Sequence, residues 1–99
     1  MASKEVQFHE EASTKYEAAF DWYLARSELA ASKFVEELSR AIALIAEAPQ
    51  RWPDIMSGTR KFRPQRFPFA VVYRELPAII QILAIAHGRR QPGYWKERL

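Results

Sequence analysis

Apolar and polar positions follow two different periods along this chain, and the change of period divides it. Residues 4–12, KEVQFHEEA, open with a period of two: Val6 and Phe8 point one way, Gln7 and His9 the other, which predicts a strand. Thr14 followed by Glu17 fits a capping box at a helix start, with Ser13 as a competing cap. Tyr16, Ala19, Phe20, Tyr23 and Leu24 then recur at helical spacing. Arg26-Ser27-Glu28 reads as a short break, with Ser27 capping a second helix. The stripe of that helix is Ala31, Phe34, Val35, Leu38, Ala41, Ile42 and Ile45, the clearest periodic signal in the chain. It must end near Ala48, because Pro49 disfavours helical geometry in the residue before it. Two helices joined so closely pack as an antiparallel hairpin.

Residues 49–58, PQRWPDIMSG, read as a loop that Trp52 and Ile55 pin to the core. The period then returns to two. Thr59 to Phe67 is a cationic strand, with Pro64 placing it at an edge or a bulge. Phe69 to Glu75 is a second strand. Ile79 to Ala86, IIQILAIA, is apolar on almost both faces and belongs in the interior of a sheet. The order strand–helix–helix–strand–strand–strand makes the class α+β: a mostly antiparallel sheet, its last three strands a meander, with a helical hairpin on one face. If Phe62 faces the helices, then Lys61, Arg63 and Gln65 face the open side of the sheet. Gln81 and His87 share one parity and would join that polar face. The tail 91–99, QPGYWKERL, is expected to fold back, bringing Arg90 and Tyr94 near the cationic strand.

With 99 residues, the chain is one domain, residues 1–99. It has no cysteine, which excludes a disulfide framework and a zinc-thiolate site. No apolar run approaches the roughly 18 residues of a transmembrane helix, and MASKEVQFHEE carries acids where a signal peptide carries its apolar stretch. A cytoplasmic location, away from any membrane, is the expectation. Charge changes the picture more. Residues 1–49 hold five basic and nine acidic groups, a net of −4, and residues 50–99 hold ten basic groups against three acids, a net of +7. Eight of those ten cations are arginine, the side chain that grips phosphate or carboxylate bidentately, so an anionic partner is expected. His9-Glu10-Glu11 has metal-ligand residue types, but a strand would send its side chains to opposite faces. No glycine-rich phosphate loop or nucleophile elbow is present, and no metal or cofactor is implied.

The element order, the segment RPQRFPFAVVYRE and the ending IIQILAIAHGRRQPGYWKERL together resemble the RelE/ParE superfamily of bacterial toxins, the toxin halves of type II toxin–antitoxin systems, also called plasmid-stabilisation proteins. The resemblance implies a cytosolic toxin neutralised by a cognate antitoxin, acidic and partly disordered. It implies one of two activities: ParE-like inhibition of DNA gyrase, or RelE-like, metal-independent cleavage of mRNA in the ribosome. In the nuclease pattern Lys61 and Arg63 match the paired basic residues of the second strand, Arg90 the arginine after the strand-ending glycine, and Tyr94 is the nearest match to a tail tyrosine. Ala70 stands where that pattern has a further arginine. Arg60, Arg66, Arg89, Trp95, Lys96 and Arg98 are the accompanying candidates for contacts with nucleic acid or a protein target.

Cleavage by 2′-OH attack needs a base, an acid, and cations around a phosphate that gains charge. Lys61 could be the base, and Arg63 with Arg90 the phosphate holders. One cation fewer at position 70 weakens that chemistry and favours a target-binding inhibitor over the endonuclease.

Overall fold

His9 stops the first strand and starts the first helix. Its backbone is extended, at φ −60° and ψ 145°, and its Nδ1 accepts from the Glu11 amide at 3.1 Å. The computed structural model describes residues 4–64 and 69–87. In chain order these form β1 (Glu5–Phe8), α1 (Glu10–Arg26), α2 (Glu28–Glu47), β2 (Asp54–Met56), β3 (Thr59–Phe62), β4 (Phe69–Glu75) and β5 (Ile79–His87). The capping box expected at Thr14 is therefore overturned. The Thr14 hydroxyl lies inside α1 and donates back to the Glu10 carbonyl at 3.2 Å. Ser27 does cap α2, its Oγ accepting from the Ala30 amide at 3.3 Å, and α2 ends one residue before Ala48.

The sheet has five strands in the order β1-β5-β4-β3-β2. β3, β4 and β5 form the antiparallel meander, and β1 joins β5 in parallel, Glu5 opposite Ile79. β2 is an addition to the expected elements. Ser57 and Gly58 both have positive φ, 52° and 74°, which suits a tight hairpin turn into β3.

The helical hairpin covers one face. Phe34, Leu38, Ala41 and Ile45 of α2 pack with Phe69, Val71 and Tyr73 of β4 and with Ile80, Ile82 and Ile85 of β5. Ala12 of α1 is buried with them, and Tyr16, Ala19, Phe20 and Tyr23 pack on the same cluster. Leu24, expected in that stripe, is exposed instead, as are Trp22 and Leu29 at the hairpin tip, where Arg26 lies 3.3 Å above the Trp22 ring.

Loop 48–53 is strapped to the sheet by polar groups. The Tyr73 hydroxyl donates to the Pro49 carbonyl at 2.6 Å, and Arg60 donates to the Trp52 carbonyl at 2.6 Å. Burial pushes the Tyr73 phenol up to about 12; Arg60 opposes the shift and Glu75 adds to it. An unfolded tyrosine ionises near 10. Between those two values the folded state holds a proton that the unfolded state has lost, so this contribution fades as pH rises through that window. Tyr73→Phe should lower stability by about 1 kcal/mol at pH 7, because the Pro49 carbonyl loses its donor. It should also shrink the further loss between pH 8 and pH 11. Urea midpoints at the three pH values check this, and an equal alkaline loss in both proteins would refute it.

Glu75 anchors the opposite corner. It accepts from Lys4 Nζ at 2.9 Å and from Gln50 Nε2 at 3.3 Å. The Lys4 bond, then the Gln50 bond, hold its carboxyl below the ordinary glutamate range. The stability this gives is fully present above the unfolded glutamate value and fades as pH falls through the depressed one. Glu75→Gln should therefore unfold with a shallower acid dependence below pH 5. Equal acid midpoints for the two proteins would count against the Lys4 pairing.

Candidate functional site

The cations of β3 are sorted by the pleat. Phe62 points to the helices, edge-to-face with Trp52 at 4.7 Å, and sits opposite Val71. Lys61 sits opposite Val72, on the other face. Arg60 sits opposite Tyr73 on the helix side, where its guanidinium holds the loop carbonyls of Trp52 and Gln50. β3 ends at Phe62, so strand alternation no longer directs Arg63. Arg63 and Pro64 instead border a cleft of about 440 Å³ against Glu37, Arg40 and Leu44 of α2. Lys61 and Arg63 are thus two positions apart in sequence but stand in different surroundings. Neither has a hydrogen-bonding or ionic partner among the described residues.

The face away from the helices is not the open cationic surface that parity suggested. Val72, Leu83 and Ala84 are fully buried there, with Ile55 and Met56 packed against them. Ala70 follows the same parity as Val72 and is only 2 % exposed. The alternation that gave Gln81 and His87 one parity does not run unbroken between them, because β5 carries a bulge. Val72 pairs with Ala84 but Tyr73 pairs with Ile82, so Leu83 is an extra residue on β5 and the alternation slips by one. Gln81 accepts from Arg74 Nε at 2.9 Å, while His87 has Phe69 as its register partner. Candidate residues Arg66, Arg89, Arg90, Tyr94, Trp95, Lys96 and Arg98 lie outside the described residues.

The cleft beside α2 escaped the sequence reading, although two signals for it were there. Glu37 and Arg40 stand three apart, and Arg40 Nη1 bonds Glu37 Oε1 at 2.9 Å. Arg51 directly precedes Trp52 and lies 5.4 Å over its ring. No group of three or more His, Asp or Glu among the described residues could hold a metal ion. No helix among them is long and apolar enough to cross a membrane.

Comparison with known proteins follows this geometry. Residues 6–92 match the family described as the ParE toxin of the type II toxin–antitoxin system, parDE. The structure is similar to a chain of the chromosomal ParDE toxin–antitoxin system from P. aeruginosa, with a TM-score of 0.74 and 21 % identity, covering 86 % of this chain and 96 % of that one. It is also similar to the E. coli toxin RelE, solved as a double arginine-to-alanine mutant in the free state. There the TM-score is 0.64 at 12 % identity, covering 89 % of this chain and 86 % of that one. No curated protein matches the sequence. At these identities the two structures establish the shared fold alone.

Proposed function

We propose, from the premise that the chain belongs to the ParE toxin family of type II toxin–antitoxin systems, that this toxin stops growth by binding a protein target, DNA gyrase, rather than by cutting RNA. Its partner is a cognate antitoxin, which we take to be acidic and partly disordered before it binds. The setting is the cytoplasm, where both target and antitoxin are reached without crossing a membrane.

Position 70 carries the choice between the two activities. Nuclease chemistry of the RelE kind needs several cations converging on one phosphate. Here a short, buried alanine occupies the central strand at that place, and Arg63 borders the α2 cleft instead of standing beside Lys61. One missing cation at a phosphate that gains charge corresponds to a loss of roughly a hundredfold in rate. Binding a protein target makes no such demand. Lys61, Arg66, Arg89, Arg90, Lys96 and Arg98, with Tyr94 and Trp95, then serve as contacts for the target. Arg60 is already engaged with the loop carbonyls. This reading calls on no cofactor.

Induction without antitoxin, paired with a supercoiling assay on purified gyrase, tests it. The expected result is inhibited supercoiling and filamentous cells with mRNA ends unchanged. Cuts within ribosome-bound mRNA, lost in Lys61→Ala and Arg90→Ala, would assign the toxin to the nuclease branch with Lys61, Arg63, Arg90 and Tyr94 as its catalytic set.

A further inference from the structure

We propose that the pocket where the end of β1 meets both helices binds a small organic cation: a primary amine carried on an aromatic or branched apolar body. The site lies on a different side of α2 from the cleft that Arg63 borders, and it is independent of how the toxin stops growth.

The residue pattern of the helices makes the pocket. Ser13, Tyr16 and Glu17 stand at i, i+3 and i+4 and so share one face of α1. Leu38 and Ile42 stand four apart on α2. Where large side chains meet, the helices are closed: Tyr16 stacks on Phe34 at 5.7 Å. Ser13 and Ser39 are too short to extend that closure, and a cavity of about 340 Å³ remains between the elements. Its walls are mostly apolar, formed by Phe8, Tyr16, Leu38 and Ile42. Phe8 meets Tyr16 edge-to-face at 6.1 Å, and Leu38 is buried behind them. Phe8, Tyr16 and Ile42 are half-buried, so this apolar surface opens to solvent instead of being sealed in the core.

The polar groups choose the occupant. Glu17 is the one charged residue of the lining, and its carboxylate has no hydrogen-bonding or ionic partner among the described residues. The hydroxyls of Ser13, Tyr16 and Ser39 have none there either. A carboxylate only accepts, and an ammonium group brings three donors to it and to the hydroxyl oxygens. The ring faces of Phe8 and Tyr16 attract the same positive charge. A phosphate or carboxylate ligand meets repulsion from Glu17 and finds no cation in the lining. One ion pair at an exposed carboxylate contributes little alone, about 0.2–1 kcal/mol. Affinity therefore also needs an apolar body against Phe8, Leu38 and Ile42. The volume holds roughly ten non-hydrogen atoms, at about 30 Å³ for one of water size, which limits the ligand to one ring and a short amine arm.

The test titrates the intact toxin with phenethylamine, with 3-phenylpropionate, which has a similar body and the opposite charge, and with ethylamine, which lacks the body. Nuclear magnetic resonance shifts locate and measure binding, and thermal melts follow it, because a ligand held by β1, α1 and α2 together raises the melting midpoint. Phenethylamine should bind at about 1 mM or tighter and shift the signals of Phe8, Tyr16 and Ile42, and the other two probes should bind at least fivefold more weakly. Glu17→Gln should weaken phenethylamine about fivefold and remove the preference over 3-phenylpropionate. Ser13→Leu should fill the pocket and abolish binding, with its own melt reporting whether the fold is intact. Arg26→Glu at the hairpin tip should change nothing. Equal binding of phenethylamine and 3-phenylpropionate by the wild type would overturn the proposal, as would shifts that bypass Phe8, Tyr16 and Ile42, or an affinity unchanged in Glu17→Gln. A wild-type toxin that ignores all three probes, and sediments as a dimer that Glu17→Gln or Ser13→Leu breaks, would give the pocket to a second copy of the chain and overturn it too.

Discussion

Phe34→Ala should lower the stability of the fold by about 3–5 kcal/mol. Phe34 is fully buried and is the hub of the aromatic core. Its ring stacks on Tyr16 at 5.7 Å and on Tyr23 at 5.0 Å, and it meets Phe69 of β4 edge-to-face at 5.5 Å. One side chain therefore joins α1, α2 and the sheet. Truncating it removes aromatic contacts from three directions and leaves a cavity that two helices and a strand cannot all close. A domain of this size has a total stability of roughly 5–15 kcal/mol, so a substantial share would be lost. Urea unfolding followed by far-ultraviolet dichroism measures it. A shift equivalent to less than about 1 kcal/mol would mean that the two helices hold to the sheet without this cluster.

Ala70→Arg should lower stability by about 2–4 kcal/mol and bring no gain in RNA binding. Read from parity alone, position 70 is an exposed place on a cationic face, where an added arginine would gain a phosphate contact. The structure replaces that expectation, since Ala70 is buried on a strand whose neighbouring Val72 is fully buried on the same face. A guanidinium there must either displace packed side chains or lose its hydration without a counter-ion. Urea midpoints and filter binding across a salt series distinguish the outcomes. An unchanged midpoint together with a salt slope steeper by about one phosphate contact would show that position 70 does open onto a polyanion site.

The parts of this fold legible in the sequence are those where one rule decides alone. α2 was readable because its apolar residues fall at every third or fourth position and a serine and a proline bracket it. The meander was readable because its turns carry proline and its strands are rich in β-branched residues. The misreadings arise where two local rules compete or where a partner decides. At the start of α1, histidine supplied the capping acceptor, so the serine and threonine downstream drew the boundary inward. β2 spans three residues, too few for a period, although the Ser57-Gly58 pair signalled its turn. In β5 the bulge at Leu83 was invisible because a continuous apolar run carries no alternation to break. That single extra residue decides which side chains share a face. On β3, counting in twos placed Lys61 and Phe62 on their correct faces and failed only at Arg63, which lies past the end of the strand.

β1 lies at the sheet edge beside β5, with Glu5 opposite Ile79, so the first strand to be synthesised must wait for the last described one. Helices close over neighbouring residues and form early, whereas this parallel pairing spans most of the chain and sets a slow, late step in folding. While the chain is still growing, the hairpin has its stripe of aromatic residues but only part of its floor. A polypeptide stopped anywhere before Ile79 lacks both the neighbour of β1 and much of the surface under α1. Toxicity should therefore arrive all at once, when synthesis has passed β5, and nonsense mutations at any codon before Ile79 should be equivalent in silencing it.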